Sequence, residues 1–438
     1  MGENAIDAMR KPPEGYFTVR WGQPEYTSWL DESMSWKESC YIGDWSFLWE
    51  HHYRGPDALR LFSDISVASL KKFDIGQCKH VIHTNDDGKV IHEGILARLG
   101  EEHLLLFGRG GFWANYNLAR GGYDCSSTRD DWFNIQVSGP RSVYLLEEVC
   151  GQSLRDLGFM RLKTVLMAGR EVTIMRQNMA GEIGFELVAP AQYHKDVYDA
   201  VVEKGPKHGL RKLGGRAVFI NHLEACFPTI ITDYLPAMFS PDMSDYLDYF
   251  KANMPSFAIT FNINGSFEGK ELSDYYRSPV ELGWSKVVSL DHDYKGRRAL
   301  AEELKNPRRR MVTLVWNSQD VIDVYSSLFE KGEHYDFMEM PRDQRGYVYF
   351  DKVQKDGRLV GTSSSRGYSY YFREMLSLCC LDVEVAKPGA EVEVVWGEPG
   401  HRQKVVRAKV APAPYKTDRR KADLQALPPT WRPAGGEG

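Results

Sequence analysis

The 438-residue chain has no apolar run near the ~20 residues needed to cross a bilayer, which excludes a helical membrane span on sequence grounds. Its first stretch, MGENAIDAMRKPPEGY, contains no apolar segment of signal-peptide type. Cysteine is sparse: there are seven, scattered, odd in number and in no CxxC pair. That argues against a disulfide framework and suits free thiols in a reducing cytoplasm. An excess of positive charge is also missing. Lys+Arg number 55 against 60 Asp+Glu, a net charge of −5, so no concentrated basic face is available to displace counterions from nucleic acid. There is no GxxxxGK[ST], no HExxH, no zinc spacing and no nucleophile elbow, and Gly108-Arg109-Gly110-Gly111 is not a GxGxxG turn. The expectations are a cytoplasmic protein with no membrane, nucleic-acid or metal partner.

Hydrophobic residues make up 42%, charged residues 26% and aromatics 12%, the balance of a globular protein with ample core. At about 150 residues per domain the length suits two or three domains. Residues 79–108 carry apolar runs separated by Asn85-Asp86-Asp87-Gly88 and by Leu99-Gly100-Glu101-Glu102, which predicts an antiparallel meander. Gly55-Pro56 leads from an aromatic-rich run, 44–53, into the helix-like ALRLFSDI. Gly139-Pro140 repeats the arrangement, between a strand at 133–137 and a helix stopped by Gly151. Two strand–Gly-Pro–helix units suggest an internally duplicated α+β core, and two ordinary Pro-initiated helices remain the alternative. Residues 162–190 alternate as strands do, while 192–204 and 215–224 read as helices. After a polar break with the basic run Arg308-Arg309-Arg310, read as a solvated junction, short β-rich runs fill 308–415. The tail, 416–438, is Pro/Gly-rich and charged, and is expected to wrap the surface or be disordered. His51 and His52 are adjacent on a strand, so they point to opposite faces and suit structural roles better than a shared metal.

Six segments in series resemble the folate-dependent aminomethyltransferase superfamily typified by the glycine-cleavage T-protein. They are RGPDALRLFSDI (54–65), DDGKVIHEGILARL (86–99), SGPRSVYLLEEV (138–149), GEIGFELVAP (181–190), LEA (223–225) and SPVELGWSKVVSLDHDYKGRRAL (278–300). The C-terminal half, with NGSFEGKELSDYYRSPVELGW and LVWNSQDVIDVYSSLF, is similar to the aryl-methyl-ether O-demethylases of that superfamily, the vanillate and syringate type. The resemblance implies an α+β fold, with a folate-binding core of two intertwined α/β subdomains over 1–307, a β-barrel-like domain over 308–415 and a tail over 416–438. It also implies methyl transfer from an aromatic methyl ether to N5 of tetrahydrofolate, the methyl acceptor, with no lipoyl carrier. S- or N-demethylation and a non-catalytic folate-binding role are the alternatives. The latter branch carries a KGCYxGQE-like motif that SPVELGW does not match.

The same resemblance places the pterin-binding carboxylate on Glu186, a pterin-side amide on Gln136 and a pterin-packing aromatic on Phe227; Trp284, after Glu281-Leu282-Gly283, is a further candidate to line the pterin, with plain core as the alternative for both aromatics. Arg109, at the end of an apolar strand, falls on the substrate-side arginine, and its planar fork suits a benzoate carboxylate. The positions of the family's phenol-binding Tyr, His and Tyr hold Val19, Phe47 and Val218. These apolar replacements suit a substrate lacking a free phenolic hydroxyl, since a buried donor without a partner is costly. His222 stands where the T-protein has an arginine, and no aspartate occurs in 107–116, which argues against aminomethyl transfer. Either another group supplies the proton, Tyr234 being the expected donor with His51, His52, Tyr16 and Tyr41 as alternatives, or a phenol of low pKa leaves with little acid help and Arg109 serves as the catalytic group by stabilising it electrostatically.

Overall fold

The computed structural model describes Ile6, Met9 and residues 22–253, 263–343 and 348–431. A helix, α1 (Trp29–Glu38), precedes strands β1 (Cys40–Asp44) and β2 (Glu50–Arg54). From β2 the chain turns at Gly55-Pro56 into α2 (Ala58–Ile65), then runs through the meander β3 (Cys78–Thr84), β4 (Val90–Gly100) and β5 (His103–Phe107) to α3 (Gly110–Ala119). After β6 (Ser126–Arg129) the plan repeats. Strand β7 (Trp132–Ser138) leads through Gly139-Pro140 to α4 (Ser142–Cys150), followed by β8 (Leu162–Met167), β9 (Arg170–Met175), β10 (Gly184–Pro190) and α5 (His194–Lys204). The sheet orders match: β3-β4-β5-β2-β6 in the first unit and β8-β9-β10-β7-β1-β11 in the second, where β11 is Leu210–Lys212. The duplication suggested by the two Gly-Pro turns is thus present in the topology.

The two units exchange strands. Strand β1, which precedes β2 in the chain, pairs with β7; β6, which precedes β7, pairs with β2. The Gly-Pro turns sit where the exchanged strands enter. Gly55 has φ +136 and a Cβ there would meet the Asp124 carbonyl oxygen at 2.4 Å; Gly139 has φ +133 and a Cβ would meet the Ser39 oxygen at 2.5 Å. Both turns therefore need glycine for its φ and for the backbone approach. One apolar layer, with Leu105 and Phe107 against Met175 and Val188, fills the space between the two sheets.

Helices α6 (Gly215–Glu224) and α7 (Ser244–Asn253) and a short strand β12 (Ile263–Asn264) follow. Beyond α8 (Arg297–Lys305) come β13 (Arg309–Trp316), α9 (Ser318–Ser326), β14 (Val348–Tyr349), β15 (Asp351–Lys355), β16 (Arg358–Ser369), β17 (Glu374–Asp382), β18 (Glu391–Trp396) and β19 (Lys404–Ala411). Six of these strands close into a barrel, β13-β17-β16-β15-β18-β19, and β14 pairs with β12. The basic run at 308–310 is not simply a solvated junction. Arg309 opens β13 and forms an ion pair of 2.5 Å with the buried Glu281, which also holds Lys89 at 2.8 Å. The tail residues 416–431 wrap the second unit. Leu424 is buried among Val143, Leu157 and Val197, and Arg155 donates to the Leu424 and Leu427 carbonyls.

Candidate active site

Glu186 and Gln136 are directly opposed in the β10–β7 ladder, so strand register alone brings them together. Glu186 is buried, and its carboxylate accepts from three amides: Gln136 Nε2 at 3.1 Å, Asn134 Nδ2 at 3.5 Å, and Gln177 Nε2. Burial raises its pKa to about 7, and the amides oppose that rise by favouring the charged form. Behind Gln136 the Tyr41 hydroxyl donates to its Oε1, and Asn221 Nδ2 donates to Tyr41 at 3.3 Å. His222 Nδ1 lies 2.6 Å from Asn221 Oδ1 and 2.9 Å from the Val218 carbonyl. Two acceptors so placed assign the proton to Nδ1. Tyr41 is thus committed to orienting the amide that holds Glu186.

An aminopyrimidine ring offers adjacent N–H donors and needs buried acceptors. Glu186 supplies one set. Asn134 Oδ1, buried beside it with no hydrogen-bond partner among the described residues, supplies another. An unpaired buried oxygen is costly unless a ligand completes it. This set of acceptors therefore suits a reduced pterin.

The other expected residues are scattered. Val218 packs with Tyr41, Trp36 and Met179 in the cluster flanked by Phe227, whose ring stands edge-on to His222 at 5.4 Å. Trp284 and Tyr234 meet edge-on at 6.2 Å in a different cluster. Tyr234 is fully buried, its hydroxyl has no hydrogen-bond partner, and burial holds its pKa well above the ordinary value. Arg109 follows β5 and stands just before α3, with helical backbone angles and no side-chain capping bond to the helix. Phe47 lies in the β1–β2 connection and is 44% exposed. Val19 and Tyr16 lie outside the described residues. His51 and His52 do face opposite ways, but neither is at the surface. His51 sits beneath α3 against Phe112, and His52 packs on Trp132.

One residue that sequence reasoning passed over is Glu50, the first residue of β2. It is 3% exposed, and its Oε1 has no hydrogen-bond partner. Glu50 is in register with Phe107, and Glu186 shares a face of β10 with Val188. Phe107 and Val188 both belong to the layer between the sheets, so the two carboxyls face each other across it. Burial, reinforced by the charge of Glu186, pushes the pKa of Glu50 up to about 8. The available signal was the duplication. Counting five back from Gly139 gives Asn134, and five back from Gly55 gives Glu50.

These shifts predict an alkaline loss of stability. In the unfolded chain both carboxyls ionise near 4.5; in the fold they keep protons up to about 7 and 8. Across that window the native state binds more protons, so stability falls as pH rises. The ligand-free protein should melt at a lower temperature above pH 8 than near pH 5.5, as calorimetry would show; a curve that rises through this range contradicts the assignment.

A duplicated, strand-exchanged α+β core with a closed barrel and a buried carboxylate in an amide cradle defines the class of one-carbon transferases that use a reduced folate. The GCVT N-terminal domain family matches residues 11–244, and the chain belongs to that family. Over 437 aligned residues it is 31% identical to a syringate O-demethylase of a Sphingobium species, covering 94% of each chain. It is 33% identical to a sesamin methylene transferase of a Sinomonas species, covering 89% of each. The solved aminomethyltransferase T of the Bartonella henselae glycine cleavage system shares the fold, with a TM-score of 0.66 at 17% identity over 92% of this chain and 95% of that one. The protein is an enzyme of tetrahydrofolate-dependent one-carbon transfer. Among the described residues no helix is long and apolar enough to cross a membrane.

Proposed function

We propose that the enzyme removes the methyl group of a methoxylated aromatic acid, delivering it to N5 of tetrahydrofolate to give 5-methyltetrahydrofolate and a phenol. The observation that carries this reading is Glu186, held by three amides beside the unpaired Asn134 oxygen. These residues would hold the pterin ring, with Phe227 and Trp284 as aromatic packing. Bound tetrahydrofolate supplies the nucleophilic N5. The protein's part is chiefly positioning, because in-line displacement needs nucleophile, methyl carbon and leaving oxygen collinear.

Arg109 would clamp the substrate carboxylate, its planar fork matching two carboxylate oxygens. Gly108 donates its N–H to the Trp49 carbonyl at 3.0 Å, which fixes the turn from which Arg109 emerges. The apolar Val218, packed against the Tyr41 that orients Gln136, supports a substrate without a free phenolic hydroxyl.

The test is to incubate the protein with tetrahydrofolate and a panel of methoxybenzoates, and to follow 5-methyltetrahydrofolate. A methylenedioxybenzoate in the panel would yield the methylene derivative instead and separate the two kinds of relative. No methylated product with any member would end the reading. Arg109→Ala should lower kcat/KM for carboxylated ethers about 10²-fold, the order of a lost bidentate charge pair. It should leave uncharged anisoles unaffected, and equal losses on both would remove the clamp role.

A further inference from the structure

The site described so far binds both reactants but offers no proton carrier. The family's acid positions are filled by Val19, Phe47 and Val218, and Tyr41 is occupied with Gln136. Glu50 borders the same inter-sheet layer as Glu186. It faces Glu186 across the inter-sheet layer, and its register partner Phe107 is two residues before Arg109. We propose that Glu50 carries the proton from N5 of tetrahydrofolate to the leaving phenolate oxygen. The step rests on the demethylase reading and deepens it.

The balance closes within the site. As the methyl–oxygen bond breaks, its electron pair stays on oxygen, and the N5 lone pair forms the new bond to carbon. Glu50 gives its proton to that oxygen. Its carboxylate then takes the proton that N5 sheds on methylation, so the side chain ends as it began. Nothing is oxidised or reduced.

The surroundings suit a carboxyl that starts neutral. Glu50 Oε1 has no hydrogen-bond partner, so its proton is not committed within the protein. The charges acting on it are Glu186 and Asp131, which favour the neutral form, and Arg129, which opposes them. His52, on the same face of β2, has its pKa depressed to about 4 by burial and stays neutral. A neutral carboxyl near its working pH gives and takes protons readily, whereas the buried Tyr234 hydroxyl holds its own too tightly.

Glu50→Gln keeps the shape and a donor but cannot exchange the proton. We expect it to leave the tetrahydrofolate Kd within about twofold and to lower kcat about 10²-fold or more. The loss should steepen for ethers whose phenols are weaker acids. In the ligand-free protein near pH 7.5, the infrared C=O absorption of protonated carboxyls should weaken by the share of one group, and the alkaline fall in melting temperature should flatten. Wild-type kcat in Glu50→Gln with a poor leaving group overturns the proposal. So does an unchanged infrared spectrum, or a kcat loss carried by Tyr234→Phe instead. If wild-type protein binds tetrahydrofolate but demethylates no aryl ether, the substrate reading falls and this step with it. A variant equal to an active wild type sinks the Glu50 step alone.

Discussion

Replacing Glu186 with Gln is expected to weaken tetrahydrofolate binding about 10²- to 10³-fold. Two ring donors lose hydrogen bonds to a charged acceptor, each worth about 1.5–3 kcal/mol. The new amide restores one acceptor but turns its own N–H groups toward other donors. The net loss is about 3–4 kcal/mol, which sets the fold-change. Glu186→Ala should be as severe and should also destabilise the ligand-free protein, because Asn134, Gln136 and Gln177 would lose their common acceptor inside the sheet. Isothermal titration with tetrahydrofolate measures the first effect and denaturant unfolding the second. Wild-type affinity in both variants would place the pterin elsewhere.

The second large effect falls on stability. Glu224, of the Leu-Glu-Ala segment at the end of α6, is fully buried. Its carboxylate pairs with Lys37 at 2.6 Å and accepts from Trp36 Nε1 at 2.8 Å and from Ser369 Oγ at 2.6 Å. Those partners come from α1 and from barrel strand β16, so a single side chain ties the barrel to the core. Lys37 is itself buried, and desolvation has lowered its pKa to about 8 despite the pair. Glu224→Ala strands that ammonium and should cost about 3–5 kcal/mol. Glu224→Gln keeps the acceptor for Trp36 and should cost less. The midpoint of denaturant unfolding reads both, and a shift equivalent to under about 1 kcal/mol in Glu224→Ala would show that water replaces the carboxylate.

The parts of this fold legible in the sequence are those governed by local rules. The 79–108 meander, the two Gly-Pro turns and the helix stop at Gly151 depend on periodicity and on residues that permit particular backbone angles, and each lies where expected. Glu186 and Gln136 were legible through the family resemblance, and register then explains why they meet. Asn134 and Gln177 were not, because an amide on a strand has no pattern of its own until pairing brings it to a carboxylate. Glu50 was hidden for the opposite reason: a glutamate at a strand start reads as solvent-facing, and only the second sheet buries it. The tail's composition left wrapping and disorder both open, and Leu424 with the Arg141–Trp431 stacking at 3.5 Å shows it wrapped on the second unit.

The strand exchange bears on whether the halves can move apart. Each half owns one rung of its neighbour's ladder, so the halves cannot part like jaws without breaking β1 from β7 and β6 from β2 together. The two carboxyls are thus held at a set spacing across the apolar layer, and opening the molecule by a hinge between the halves would cost both pairings at once.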